Sequence, residues 1–151
     1  MLIRRGLSGI VALMSDSWYQ DGLRFTCTRC GHCCTGKPGY VWVTRAEIEA
    51  LAAFLGTSLE DFTKRFLRRV DSRVSLIEKE NNDCIFYEGG CKVYPARPTQ
   101  CRTFPFWSEN LRSRSTWEAA RAECPGMGAG RLYSLEEIQR ARRGEASASS
   151  E

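Results

Sequence analysis

The stretch CTRCGHCC at residues 27–34 places four cysteines within eight residues. Thiols this close together can form disulfides, act as a redox dithiol or hold metal. Two cysteines separated by two residues can turn both sulfurs toward one ion, and Cys27, Cys30 and Cys33 overlap two such pairs. Three thiols at this spacing are typical of iron–sulfur proteins, whereas zinc sites more often combine one pair with distant ligands. The loop therefore favours metal binding, with a slight preference for iron–sulfur over zinc.

The remaining four cysteines lie far along the chain. Cys101 and Cys124 lie in proline-flanked segments that can bend toward a ligand cage, and Pro125 follows Cys124 as proline follows a cluster ligand in small ferredoxins. Metal binding would offset the cost of bringing such distant segments together. We therefore expect all eight thiols to be metal ligands: Cys27, Cys30, Cys33, Cys34, Cys84, Cys91, Cys101 and Cys124.

Cys33 and Cys34 are adjacent, so their side chains tend to point apart and are awkward joint ligands of one tetrahedral ion. They could serve different centres, or one could bind metal while the other is held in reserve. Eight thiols allow two centres with four ligands each. The expected cofactor is an iron–sulfur cluster, with 4Fe–4S as the first choice, or zinc, in one or two centres.

Other uses of the thiols fit the sequence less well. The first 17 residues contain no recognisable secretory signal, so we expect a cytoplasmic protein in a reducing compartment, where structural disulfides are rare. A thioredoxin-like dithiol needs only two cysteines and a βαβ pattern, which is absent around this loop. The later cysteines could instead be small buried hydrophobic residues. His32, the single histidine, is expected to be a solvent-facing turn residue.

The elements that must position these thiols are helices and short strands. Thr44 and Glu47 predict a capping box for a helix that ends at Gly56 and packs Ile48, Leu51 and Leu55 inward. A second helix is predicted from residue 58 to about residue 70. The last helix is predicted from Ser134 to Gly144, with Glu137 completing another capping box, and a short helix is expected at 117–121.

Strands are predicted at 40–43 and 73–78. Two more, at 84–87 and 91–94, are expected to form a hairpin across Glu88, Gly89 and Gly90. With 151 residues, 42% hydrophobic and 26% charged, the chain has the composition of one globular domain. The expected fold class is α+β, a small single domain with irregular cysteine-rich loops, a short β-hairpin and three to four helices.

The metal-binding domain is expected at residues 18–144, with a poorly ordered amino terminus at 1–17 and a disordered tail at 145–151. The formal charge of +4 counts every cysteine as neutral, so thiolate ligation would lower it. The basic residues at 64, 65, 68 and 69 are expected to face solvent, with a phosphate or acidic partner as the alternative. We expect metal ions as partners, and neither nucleic acid nor a membrane.

Four segments, RFTCTRCGHCCTG, VTRAEIEALAAFLG, DCIFYEGGCKVYPARPTQCRTFPF and CPGMGAG, closely resemble the YkgJ-type cysteine cluster (CxxCxxCC) proteins, which are described as zinc- or iron-chelating domains. The resemblance runs from about residue 18 to about residue 131, and every cysteine falls on a family position. It implies a metal-binding domain. A related cysteine cluster accompanies flagellin lysine methylases, where it is associated with an iron–sulfur centre. At 151 residues, we expect no methyltransferase domain beside the cluster here.

The family pattern also marks six positions around Cys101: Tyr94, Arg97, Pro98, Arg102, Pro105 and Phe106. Arg97 and Arg102 are candidate cofactor-binding residues, because their guanidinium groups could donate to cluster sulfur or to backbone carbonyls and offset the thiolate charge. Arg97 could equally serve only to tie down the proline-rich loop. The aromatic side chains at 104, 106 and 107 are expected to shield the site from water.

These observations favour a metal-binding module with a structural, metal-carrier or electron-transfer role. A metal-dependent enzyme, or an accessory subunit of a lysine-methylase-like protein-modifying system, is the alternative. No catalytic residue stands out, because the sequence has no HExxH motif and no second histidine, and full thiolate ligation is typical of closed sites. A zinc-ribbon-like nucleic-acid binder is supported only by the basic residues at 64–69.

Overall fold

Six α-helices and two small antiparallel sheets make up residues 17–145, the part of the chain that the computed structural model describes. The strands are β1 (Leu23–Phe25), β2 (Val41–Trp42), β3 (Leu67–Val70), β4 (Arg73–Leu76) and β5 (Met127–Tyr133). The helices are α1 (Arg45–Leu55), α2 (Leu59–Phe66), α3 (Thr99–Arg102), α4 (Ser108–Leu111), α5 (Arg114–Glu123) and α6 (Leu135–Arg142). The expected α+β class is confirmed, and the helices beyond the expected four are the single turns α3 and α4.

The two sheets bring distant parts of the chain together. β1 pairs with β5, with Leu23 opposite Tyr133 and, after a register shift, Phe25 opposite Met127. The second sheet has the order β2–β4–β3, and Val41 lies opposite Leu76. The pairing of β1 with β5 places the segment before the cysteine loop beside the segment after Cys124.

Two hydrophobic cores support these sheets. The first core consists of Tyr19, Phe25, Phe106, Leu111, Trp117, Cys124, Met127 and Ile138. The second core consists of Val43, Leu51, Ala52, Phe62, Leu76, Phe86 and Val93, with Cys84 and Cys91 packed against it. Cysteines therefore belong to both cores, which places the thiols where the two meet.

The helix starts predicted from the sequence are confirmed. Thr44 and Glu47 form a capping box at α1, which ends at Gly56 in the left-handed conformation. Ser134 and Glu137 form the same arrangement at α6. The expected inward face of α1 is correct at Leu51 but not at Leu55, which is 37% exposed.

The second helix is shorter than predicted. α2 ends at Phe66, and residues 67–70 form β3, which pairs with β4 through the turn at Asp71 and Ser72. Pairing with β4 satisfies backbone groups that would otherwise continue the helix, and Val70, a β-branched residue, suits a strand. The predicted basic helix face is therefore divided between α2 and β3.

The prediction of a regular β-hairpin at residues 84–94 is wrong. The segment consists of turns with isolated bridges, Glu78 opposite Cys84 and Tyr87 opposite Cys91, and a 3-10 turn at Tyr94–Ala96. The helix expected at 117–121 is the longer α5. The expectations for residues 1–16 and 146–151 lie outside the described residues. Within 17–145, none of the helices has the length and apolar character needed to cross a membrane.

Candidate metal centre

All eight cysteines line one pocket, although they span residues 27–124 of the chain. The rest of the lining is mostly apolar, with Phe25 and Phe104 from one side and Leu76, Phe86 and Val93 from the other. The first two side chains belong to or pack against the first core, and the other three belong to the second core. The pocket thus lies between the two cores and gathers soft sulfur donors within an apolar wall.

The cysteine loop carries its thiols at the mouth of this pocket. Cys27, Cys30 and Cys33 are exposed, whereas Cys34 is half-buried. Gly31 has a φ of 83° and precedes a 3-10 turn in which the Cys34 amide donates to the Gly31 carbonyl at 2.9 Å. A Cβ on Gly31 would lie 2.5 Å from the Tyr87 ring, so a larger residue here would strain the backbone and force the ring to move.

Backbone hydrogen bonds fix Cys84 and Cys91 opposite the loop. The Cys84 amide donates to the Cys34 carbonyl at 2.7 Å, which ties the two cysteine segments directly together. The Tyr87 amide donates to the Cys84 carbonyl at 2.9 Å, closing the turn that brings Cys91 back. The Lys79 ammonium group also donates to the Tyr87 carbonyl. These contacts explain how two half-buried thiols are held beside Cys34.

Cys101 is positioned by α3, which two side chains attach to the rest of the fold. Glu47, the capping residue of α1, also accepts a hydrogen bond from the Thr99 amide at 2.8 Å. The Gln100 side chain accepts from the Trp42 amide at 2.9 Å and donates to the Tyr40 carbonyl at 2.8 Å. α3 is therefore anchored both to α1 and to the edge of β2.

Cys124 follows α5 and is buried in the first core. Two residues later the backbone passes against the start of the cysteine loop, where the Thr26 amide donates to the Gly126 carbonyl at 3.2 Å. A Cβ on Gly126 would lie 2.2 Å from the Thr26 carbonyl oxygen, so only glycine allows this approach. The contact brings Cys124 close to Cys27.

The largest effects of one thiol on the pKa of another fall within two sets of cysteines. Burial raises the pKa of Cys124, and Cys30 and Cys27 act on it as the neighbouring thiols. We call these the three-thiol group: Cys27, Cys30 and Cys124. The others act on one another and form the five-thiol group: Cys33, Cys34, Cys84, Cys91 and Cys101.

Cys34 organises the five-thiol group through hydrogen bonds. Its sulfur lies 3.8 Å from that of Cys33, and hydrogen bonds with Cys34 lower the pKa of Cys33 to about 7 and that of Cys91 to about 6. The same two bonds raise the pKa of Cys34 itself. Burial raises the pKa of Cys84 and of Cys101. Thiolates are the form that binds metal, so two members of this group are close to their binding form at neutral pH.

The donor set fits the metals expected from the sequence. Thiolates are soft ligands that suit iron–sulfur clusters and zinc, and neither Asp nor Glu is among the residues lining the pocket. Within residues 17–145, no three Cys, His, Asp or Glu side chains already stand in the arrangement of a metal site. Binding would therefore require the gathered thiols to turn toward a common point.

The other predicted site residues differ in their relation to the pocket. Arg97 lines it, and its Nε donates to the Tyr94 carbonyl at 2.9 Å. Arg102 is exposed and is not among the lining residues, and its Nε donates to the Arg97 carbonyl at 2.9 Å. Phe104 lines the pocket and Phe106 lies in the first core, and the indole nitrogen of Trp107 donates to a backbone carbonyl of α3.

Sequence reasoning missed Arg29. This residue adopts a left-handed conformation with a φ of 58°, and its guanidinium carbon lies 3.9 Å from the centroid of the Tyr94 ring. The guanidinium carbon of Arg97 lies 3.6 Å from the same ring. The only signal in the sequence was the position of Arg29 between Cys27 and Cys30, because a contact with residue 94 cannot be read from spacing.

Comparison with known proteins supports metal binding. Residues 26–125 match the CxxCxxCC family, described as a "putative zinc- or iron-chelating domain". An uncharacterised protein of the archaeon Methanocaldococcus jannaschii is 28% identical over 91 residues, which cover 58% of this chain and 48% of that protein. The chain thus spans about half the length of this relative. No solved structure matches the chain. Because the family match covers all eight cysteines and most of the sequence, the chain belongs to the CxxCxxCC family of metal-chelating domains.

Proposed function

We propose that this protein is a metal-binding module that holds an iron–sulfur cluster, in preference to zinc, through its cysteine thiolates. One observation carries the proposal: eight thiols from five separate segments line one pocket between two hydrophobic cores. Free cysteines that served only as small hydrophobic residues would not need to converge on one pocket. The eight cysteines remain the proposed ligands.

The preference for iron–sulfur rests on the spacing and the surroundings of the thiols. Three thiols spaced as Cys27, Cys30 and Cys33 are typical of iron–sulfur proteins. Aromatic walls such as Phe86 and Phe104 exclude water, which influences the potential of a cluster. When bound, such a cluster supplies one-electron chemistry. The exposed thiols at the pocket mouth would keep it close to the surface, where a redox partner can approach.

Arg97 is proposed to stabilise the loaded site. It lines the pocket and acts electrostatically on Cys33 and Cys91, lowering the pKa of each after the larger effect of the Cys34 hydrogen bonds. Its positive charge would offset part of the thiolate charge that accumulates around bound metal. Arg102 is proposed to act indirectly. Its hydrogen bond to the Arg97 carbonyl fixes the loop that carries Arg97.

Anaerobic isolation followed by analysis of iron, inorganic sulfide and zinc tests the proposal. We expect a coloured protein with iron and sulfide in similar amounts, and we expect Cys84→Ser and Cys101→Ser to lower both. Thr103→Ser, two residues after Cys101, keeps a hydroxyl in place of a hydroxyl, so it is the control variant and should retain the full iron and sulfide content. A colourless protein with stoichiometric zinc would show that the module binds zinc instead of an iron–sulfur cluster. A folded protein without either metal would refute the proposal.

A further inference from the structure

One face of the β2–β4–β3 sheet carries two aromatic rings and two arginines in contact with one another. The rings of Tyr40 and Trp42 stack with their centroids 4.8 Å apart and an angle of 19° between their planes. The guanidinium carbon of Arg68 lies 4.8 Å from the centroid of the Tyr40 ring, and that of Arg73 lies 3.8 Å from the centroid of the Trp42 ring. We call these four side chains the arginine–aromatic ladder.

The register of the sheet places the ladder on the face turned away from the second core. Arg68 and Trp42 both lie opposite Ser75, so these residues share one face of the sheet. Ser75 is fully buried, and its small side chain leaves room for Arg68 to reach Tyr40. The other face carries Leu76, which belongs to the second core and lines the cysteine pocket. The ladder therefore lies across the same sheet from the proposed metal centre.

The two guanidinium groups are only partly engaged by the rest of the chain. Arg73 is exposed, and within residues 17–145 its side chain forms no ion pair. One terminal nitrogen of Arg68 donates to the Gly39 carbonyl at 2.6 Å and lies 3.9 Å from the Glu78 carboxylate. The Nε of Arg68 is buried and has no hydrogen-bond partner within the described residues. A buried donor without an acceptor costs free energy, so an acceptor that draws Arg68 outward would relieve that cost.

The contacts within the ladder favour a carboxylate over a nucleobase as its ligand. Stacking on bases needs free ring faces, but Tyr40 and Trp42 already pack against each other and each against one guanidinium group. The N–H edges of the arginines remain available, and a planar guanidinium group can bind a carboxylate through two parallel hydrogen bonds. The Glu78 carboxylate neutralises only one of the two arginine charges and also accepts from the Gly39 amide at 2.7 Å.

We infer that the arginine–aromatic ladder is a docking surface for an acidic segment of a partner protein. Carboxylates of that segment accept hydrogen bonds from Arg68 and Arg73, while the stacked rings keep the two guanidinium groups in place and so reduce the entropy lost on binding. Gln100, which accepts a hydrogen bond from the Trp42 amide, directly precedes Cys101 in the chain. A partner bound here would therefore lie next to the proposed metal centre. The inference does not depend on which metal that centre holds.

Fluorescence anisotropy of the full chain, isolated anaerobically, tests the inference at physiological ionic strength. The probe is a fluorescein-labelled peptide of alternating Glu and Ser, and a peptide of alternating Gln and Ser is its neutral counterpart. We expect saturable binding of the acidic peptide only. Arg73→Gln should weaken that binding about threefold to tenfold, as expected for charged hydrogen bonds on an exposed surface. Arg73→Lys keeps the charge but loses the planar fork, so it should recover part of the affinity.

Two variants separate the ladder from the general basic charge of the chain. Arg69→Gln removes an exposed arginine that the alternation of β3 places on the opposite face from Arg68. Its effect should stay within about twofold, because salt screens charges more than about 8 Å apart. Tyr40→Leu leaves the net charge unchanged but removes the ring that Arg68 contacts, so it should weaken peptide binding. Full affinity in a folded Tyr40→Leu variant would contradict the inference.

Three further outcomes would overturn it. Equal weakening by Arg69→Gln and Arg73→Gln would show general charge attraction without a built surface. Tighter binding of a fluorescein-labelled oligothymidylate than of the acidic peptide would make this face a site for single-stranded nucleic acid. Absence of acidic-peptide binding would refute the docking surface and leave the proposed metal-binding function standing, since the iron, sulfide and zinc contents are measured separately.

Discussion

Glu47 joins two segments that lie 52 positions apart in the chain, the start of α1 and the helix that carries Cys101. Its two carboxylate oxygens accept from the Thr44 amide at 2.7 Å and from the Thr99 amide at 2.8 Å. Glu47→Gln keeps one acceptor and loses the charge, so we expect unfolding free energy to fall by about 1–2 kcal/mol at neutral pH. Metal retention against a chelator should fall as well, because Cys101 is less firmly placed.

The effect of this substitution should depend on pH. Partial burial raises the pKa of the Glu47 carboxyl. The hydrogen bonds from the Thr44 and Thr99 amides lower it by more, so the pKa lies below its usual range. The charged form thus stabilises the fold above the unfolded-state pKa, and this contribution is lost as pH falls through the folded-state value. Urea unfolding should show a wild-type advantage that shrinks in acid. Glu137→Gln, at the equivalent cap of α6, is the control, and should lower stability without affecting metal retention.

Gly31 tests the contact between the cysteine loop and Tyr87. Gly31→Ala places a Cβ 2.5 Å from the ring and forces a left-handed conformation on an alanine, which costs about 1–2 kcal/mol before any movement of the ring. Gly36→Ala has the same kind of backbone cost at a φ of 98°, with no atom within 4 Å of the new Cβ. We expect Gly31→Ala to release metal to a chelator faster than Gly36→Ala. Equal release from the two variants would contradict the proposed role of this contact.

Individual residues show which contacts could be predicted from the sequence and which could not. The capping role of Glu47 was predicted because a capping box is local, but its bond to Thr99 depends on how α1 meets a remote segment. The same applies to Arg29, whose contact with Tyr94 links positions 65 residues apart. Spacing predicts all eight thiols as metal ligands, because cysteines in such number have few other uses, but spacing does not show which of the thiols lie beside one another.

At the scale of elements, α3 is a single turn whose position depends on Gln100. The Gln100 side chain accepts a hydrogen bond from the Trp42 amide and donates one to the Tyr40 carbonyl. It therefore pairs with the backbone at the edge of β2, as a neighbouring strand would. Gln100→Leu should lower the unfolding free energy by about 1–3 kcal/mol, since two backbone groups lose their partners. Gln100→Glu retains the acceptor for the Trp42 amide, so its unfolding free energy should fall by less. Chemical denaturation of the two variants measures the difference, and equal stability of Gln100→Leu and wild type would refute the anchoring role.

The elements predicted correctly are those with local signals. α1 and α6 begin at capping boxes, and β4 shows strand alternation. β5 was missed because it contains Gly128 and Gly130, residues that are normally depleted in strands. Here a Cβ on Gly130 would lie 2.0 Å from the Thr26 hydroxyl, so the glycine allows β5 to approach the cysteine loop, a requirement visible only in the tertiary structure.

At the scale of the whole molecule, the thiols lie between the two hydrophobic cores. The first core contains the β1–β5 sheet and the second packs against the β2–β4–β3 sheet. Metal bound between them would act as a cross-link, and its free energy of binding would add to the stability of the fold. Removal of metal should therefore lower the melting temperature and expose the segments that meet at the pocket.

Hydrogen exchange can show which backbone amides lose protection when metal is removed. The Cys84 amide, which donates to the Cys34 carbonyl, should be protected in the metal-loaded protein and should exchange faster after chelation. The Phe62 amide in α2, which donates to the Ser58 carbonyl, serves as a reference within one core and should change less. Equal loss of protection at both amides would indicate global unfolding and would contradict a local cross-link.

The most direct test of the central claim is titration of the cysteine thiols in the native protein, before and after chelation. If the eight cysteines hold metal, most of them should be unreactive toward a thiol reagent in freshly isolated protein, and all eight should react once the metal is removed. The released metal should appear in step with the newly reactive thiols. A native, folded protein in which all eight thiols react at once, with no metal released, would contradict the account.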